Sequence, residues 1–144
     1  MQPTTWVFDT IKKFESLSLK PYKCPAGTLT VGYGHTRRVD PTKTITVEDA
    51  ENLLKEDVDV ASAAVNHYVT NTITQPEFDA LTDFCFNLGE TNFKESTLLK
   101  LINNGKFAEA SEEFEKWNHC AGKVLDGLTK RRQMEKQHFL TIKT

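Results

Sequence analysis

Apolar residues recur at helical spacing from the start of the chain: Val7, Phe8, Ile11 and Phe14 follow Thr4 and Thr5, either of which can cap a helix. Glu15 falls four residues after Ile11 and seven after Phe8, on the inward stripe of that helix, an unusual place for a carboxylate. Pro21, Pro25, Gly27, Gly32 and Gly34 then exclude a helix. Leu29, Val31 and Tyr33 alternate with Thr28, Thr30 and Gly32 as in a half-buried strand, which turns Thr30 away from the apolar face. Beyond the polar connection RRVDPTKT, Thr46 caps the longest amphipathic run, through Ala50, Leu53, Leu54, Val58, Ala61, Ala64, Val65 and Tyr68, with no glycine or proline inside it. Such a helix spans about 30 Å, the width of a small domain. Thr74 and Glu77 form a capping box with Pro76 in the first turn, leading Phe78, Leu81, Phe84, Cys85 and Leu88 to a stop at Gly89. Ser96 to Asn104 reads as a shorter helix closed by Gly105, and the stretches Phe107 to Trp117 and Val124 to Ile142 complete a carboxyl-terminal set. The layout is a single domain over 1–144: a small amino-terminal lobe over about 1–45, a connecting helix over about 46–68 and a helical lobe over about 69–144. Two lobes on a bridging helix leave a cleft between them, where a ligand site is expected.

Composition narrows the function classes. A chain of 144 residues hides roughly two-thirds of its unfolded surface and needs no staples. With 18 Lys+Arg against 20 Asp+Glu and a net charge of -2, nothing marks a nucleic-acid or acidic-polymer binder. Three cysteines at wide spacing, Cys24, Cys85 and Cys120, give neither a full disulfide framework nor a CxxC pair, which fits synthesis in a reducing cytosol. The four histidines, His35, His67, His119 and His138, show no HxxxH or HExxH spacing, so neither a metal nor another cofactor is expected. The segment MQPTTWVFDTIKKFES lacks a basic patch followed by an apolar run, and no stretch approaches the roughly 18 apolar residues of a membrane span. Work outside the cytosol would need a separate exit, without stable membrane insertion.

Several residues carry candidate chemistry, each with a plainer reading beside it. Glu15 is either a helix-end carboxylate turned to water, or an acid in a partly apolar cleft wall whose raised pKa lets it donate a proton near neutrality. Cys24 is a nucleophile with His35 as its base, or a small filler in a turn. His35, after a glycine at the strand end, reads as a hydrogen-bonded structural residue. The run Lys130, Arg131, Arg132, with Glu135 a turn later, reads as a solvated helix face with one inward arginine.

Taken together the signals form a pattern. Glu15, eight residues, Cys24, five residues, Thr30 resembles the spacing that marks the phage-type lysozymes, the endolysins of glycoside hydrolase family 24, whose middle position is Asp or Cys. FESLSLKPY and CPAGTLTVGYGHT are similar to that family's first helix and hairpin, LTDFCFNLGETNF and STLLKLIN to its central helices, and GLTKRRQMEKQHF to its terminal helix. The resemblance implies an α+β, mainly helical fold of two lobes on a long helix. It also implies hydrolysis of the β-1,4 bond between N-acetylmuramic acid and N-acetylglucosamine in bacterial peptidoglycan. Glu15 would be the general acid, with Cys24 and Thr30 holding the attacking water; between Glu15 and Asp40 there is no second carboxylate. Arg131, with Arg132 as the alternative, aligns with an arginine that reaches Glu15, and Phe86 and Asn87 with substrate-binding positions on the far cleft wall. Such an endolysin is a monomer made in the host bacterial cytoplasm, released through a separate holin, and active on the cell wall in the periplasm. Two other classes stay open: a non-catalytic peptidoglycan-binding module, and a thiol hydrolase using Cys24 and His35.

Overall fold

The computed structural model of the chain describes residues 1–142. The first helix, α1 (Thr5–Phe14), is followed by an antiparallel hairpin of β1 (Ser18–Lys23) and β2 (Leu29–Gly32), and then by the long helix α2 (Val47–Tyr68). Helices α3 (Gln75–Leu88), α4 (Glu90–Glu95), α5 (Thr97–Asn103) and α6 (Phe107–Glu113), a 3-10 turn over Phe114–Lys116, a two-residue hairpin of β3 (His119–Cys120) and β4 (Lys123–Val124), and α7 (Asp126–Phe139) complete it. The fold is α+β and mainly helical.

Local chemistry sets the helix ends. The Thr46 hydroxyl accepts the Asp49 N–H while the Asp49 carboxylate accepts the Thr46 N–H, and Thr74 and Glu77 repeat the exchange at α3. These reciprocal caps satisfy amides that have no intrahelical partner. Two elements escape the sequence pattern. Helix α4 starts directly after Gly89, and the β3–β4 hairpin delays the last helix from Val124 to Asp126.

The larger core fills the helical lobe, where Phe84 of α3 meets Phe93, Phe114 and Trp117 edge to face. A smaller core joins Val7 and Ile11 of α1 to Leu54 and Val58 of α2. Helix α1 also ties directly to the helical lobe: Thr4 donates to the buried Asp79, and Trp6 stacks on His138 with ring centroids 3.9 Å apart. The helix therefore bridges both lobes, and its carboxyl end is fixed relative to each.

The loop after β2 is pinned to α2. His35 is 8% exposed; its Nδ1 lies 2.8 Å from Asp57 Oδ2 and its Nε2 2.6 Å from the Arg37 carbonyl. Arg37 donates to the other oxygen of Asp57 at 2.7 Å. No helix among the described residues is long and apolar enough to cross a membrane.

Candidate active site

Glu15 is the residue at which α1 ends. Its N–H still donates to the Ile11 carbonyl at 2.7 Å, while its own φ of −102° and ψ of 80° leave the helix. The inward stripe thus delivers the carboxylate to the end of the helix, into the cleft, with 22% of the side chain exposed. From the far side Arg131 Nη1 donates to Glu15 Oε2 at 2.8 Å. Beneath the carboxylate lies Gly34, in the left-handed region at φ +74°; a Cβ there would sit 2.9 Å from Glu15 Cδ. Glu15 therefore rests on bare backbone, with room for nothing larger than hydrogen.

Hairpin register brings the next groups together. Tyr22 pairs with Thr30 and Lys23 with Leu29, and the Cys24 N–H donates to the Thr28 carbonyl at 2.9 Å. Alternation along the strands then places Tyr22, Cys24 and Thr30 on one face. Thr30 is not the outer half of a half-exposed strand: it is 3% exposed, because both faces of β2 are covered. Its hydroxyl donates to the Thr28 carbonyl at 2.9 Å. Burial raises the pKa of the Cys24 thiol, but hydrogen bonds from the backbone at Thr28 and Ala26 and from the Thr30 and Thr28 hydroxyls outweigh it, so the thiol ionises below its ordinary range. The Thr30 hydroxyl has one hydrogen, so it serves either the Thr28 carbonyl or the sulfur at any moment.

These groups line one hollow of about 400 Å³. Glu15, Tyr22, Cys24 and Thr30 form one wall; Phe86, Asn87, His119, Cys120 and Leu128 form much of the other. Glu15 is the only carboxylate among the lining residues. A second hollow shares Gly34, Thr36 and Phe86 with the first and continues it toward Arg37, Asp57 and Glu90, making one elongated groove. The buried Asn87 Oδ1 has no hydrogen-bond partner among the described residues. His35 does not line the Cys24 hollow, and both its ring nitrogens are engaged elsewhere.

The arginines differ from the expectation of a single inward side chain. Arg131 and Arg132 are both buried, 2% and 0% exposed, and only Lys130 faces water. Arg131 reaches Glu15 and also grips Asp83 with Nε at 3.0 Å and Nη2 at 2.8 Å, between the rings of Phe14 and Phe86. Arg132 turns inward to Glu135, with Nη2 to Oε2 at 2.8 Å. An arginine run looks solvated in a sequence because its acceptors lie on other elements.

The family description "Phage lysozyme" matches residues 12–135, from the last turn of α1 into α7. The chain belongs to the phage lysozyme family. An endolysin of Acyrthosiphon pisum secondary endosymbiont phage 1 is 45% identical over 133 residues, covering 90% of this chain and 91% of that protein. An endolysin of Bacillus phage B103 is 44% identical over 91% of this chain, which spans only 51% of that longer protein. Among solved structures, the muramidase domain of SpmX from Asticaccaulis excentricus superposes with a TM-score of 0.87 at 36% identity, over 98% of this chain and 99% of that one.

Within this phage lysozyme fold, sequence reasoning missed Tyr22, Gly34, Asp83, His119 and Cys120. Tyr22 had a signal, since it stands two residues before Cys24 on the same strand face. Burial and the neighbouring Glu15 and Cys24 push its phenol up. His119 and Cys120 had none, because they arrive on a hairpin two residues deep.

Proposed function

We propose that the protein is a lysozyme-type endolysin that hydrolyses the β-1,4 bond between N-acetylmuramic acid and N-acetylglucosamine, with Glu15 as general acid. The lysozyme class rests on family membership; the residue roles rest on one observation, a lone cleft carboxylate clamped by Arg131 in the same hollow as Cys24 and Thr30. Glu15 protonates the leaving glycosidic oxygen. A water on the opposite sugar face is held by Cys24 and the Thr30 hydroxyl, and it attacks the anomeric carbon with inversion. The lowered pKa of Cys24 supports the thiolate as the group that receives the water's proton. Phe86 and Asn87 are assigned to sugar binding, since both line the hollow that holds Glu15. Arg131, being buried, acts on substrate through Glu15.

The Cys24–His35 thiol hydrolase lacks support, since Asp57 and the Arg37 carbonyl occupy the imidazole. Peptidoglycan of the bacterial cell wall is the target; release through a separate holin and action as a monomer belong to the same proposal. Reducing-end release from purified peptidoglycan by Glu15→Gln tests it. The amide cannot donate the proton, so the rate falls by about 100-fold or more, the usual worth of general acid catalysis, while the fold is retained. A folded variant that keeps more than about a tenth of the parent rate overturns the assignment.

A further inference from the structure

The net charge of -2 averages two unlike lobes. Seven of the 18 Lys+Arg but only three of the 20 Asp+Glu fall within residues 1–45, which gives that lobe +4 and leaves -6 on the rest of the chain. Local pairing sharpens the contrast. On the helical lobe Lys136 meets Glu112 and Glu115, and Lys116 meets Glu113. Lys20, Lys23, Arg38 and Lys43 of the small lobe are all exposed, and among the described residues none of them is in an ion pair.

These four cations stand on adjoining segments. Lys23 pairs with Leu29, and alternation sets that pair on the strand face opposite Tyr22 and Cys24, which line the catalytic hollow. Val31 shares the face of Leu29 and lines a separate hollow of about 320 Å³, where Arg38 and Lys43 meet Val39, Ile45 and Leu53. The Ile45 N–H donates to the Leu19 carbonyl at 2.9 Å, which lays the end of this loop against β1 beside Lys20. The other two groups on the hollow are already engaged: Thr42 donates its N–H and its hydroxyl to Asp40, and Asp57 and the Arg37 carbonyl hold the His35 ring. The face ends at Glu56 and Asp59 of α2, which border Arg38 in a neighbouring hollow. None of the four cations lines either part of the catalytic groove.

We propose that this cationic face of the small lobe is a second, non-catalytic docking surface for peptidoglycan, binding free carboxylates of a strand other than the one being cut. The inference rests on the reading of the protein as a peptidoglycan hydrolase, which names the polymer. Each N-acetylmuramic acid carries a lactyl carboxyl that the wall extends into a peptide with free carboxylates, so the network is a dense array of the charge this face lacks. Exposed cations without local partners attract such an array over a Debye length, about 8 Å at 0.15 M salt, and weak contacts repeated along one polymer add up. The acidic helical lobe is repelled by the same field, so the molecule meets the wall with its small lobe forward.

The test uses the full chain carrying Glu15→Gln, so that the polymer survives the assay, and sedimentation with purified sacculi freed of lipid and secondary polymers. Lys20→Gln, Lys23→Gln, Arg38→Gln and Lys43→Gln together should weaken binding by about tenfold, four exposed pairs at the low end of what such contacts contribute. Lys94→Gln, Lys100→Gln, Lys106→Gln and Lys123→Gln together change the net charge equally from the helical lobe, and should leave binding within about twofold. Sacculi whose carboxylates have been amidated with carbodiimide and ammonia should lose the unsubstituted face's binding to a similar degree. Equal weakening by the two sets, or binding indifferent to amidation, overturns the proposal; so does a preference for phosphatidylglycerol vesicles over sacculi, which would make the partner a membrane. With Glu15 restored, the small-lobe variant should cut a soluble peptidoglycan oligomer at the parent rate and sacculi several-fold more slowly, and equal losses on both substrates overturn the docking role. Should that variant fail to fold, the amidated sacculi decide with the small lobe intact. Failure of the hydrolase reading shows separately, as no reducing-end release by the parent from either substrate, because binding is measured on protein that need not cut.

Discussion

Gly34→Ala isolates how the acid is held. The added Cβ would lie 2.9 Å from Glu15 Cδ, 3.0 Å from Oε1 and 3.2 Å from Cγ. Carbon pairs settle at about 3.5–4.0 Å, so the Glu15 carboxylate has to retreat by at least about 0.6 Å. The obstacle is the free end of a flexible side chain, which can swing aside. The steric conflict therefore costs little stability, and what remains is the left-handed backbone at φ +74°, worth about 1–2 kcal/mol for an alanine. Function takes the larger loss. A retreat of that size breaks the 2.8 Å bond to Arg131 and moves the proton donor off line, and a misplacement near 1 Å costs on the order of 100-fold in rate. Gly105→Ala is the control: its φ is +74° too, but its Cβ meets only Asn71 Nδ2 at an ordinary 3.7 Å, far from the cleft. Both variants should melt a few degrees early by circular dichroism. Only Gly34→Ala should lose lytic activity on stripped cells, measured at a temperature where both are folded. Equal activity in the two variants refutes the account of Glu15 resting on Gly34.

Other outcomes follow from the hairpin thiol and the cleft. Cys24→Asp should keep substantial lytic activity and Cys24→Ala lose most of it; an active alanine variant would reduce Cys24 to filler. Native protein treated with iodoacetamide at about pH 8 should be alkylated at Cys24 well before Cys85, because the thiolate is the reactive form. Burial, aided by Glu90, pushes Cys85 up to about 12, while Cys24 is shifted down, and peptide mapping that finds both modified at one rate contradicts this. Proton NMR in the first minutes of digestion should show the α anomer forming first, as inversion requires; a β product, or a glycosyl mass on Cys24, would make the thiol a nucleophile.

The helices legible in the sequence are those whose ends and faces are written locally. Thr46 and Thr74 cap α2 and α3 through residues three positions away, and the apolar period of each helix fixes its buried side. Short elements carried too little local signal: six residues of α4 and the two-residue strands of β3 and β4 are held by their surroundings. The spacing of Glu15, Cys24 and Thr30 was also local, because one helix end and one hairpin present all three. What stands behind them was not. Arg131 meets Glu15 across 116 positions and Asp83 across 48, and only the packing of α7 against α3 and α1 turns KRR from a solvated run into two buried cations. A charge can be buried only where its partners already stand. Those partners lie on other elements of the chain, so the tertiary structure alone determined which arginine holds the acid and which carboxyls hold the arginine.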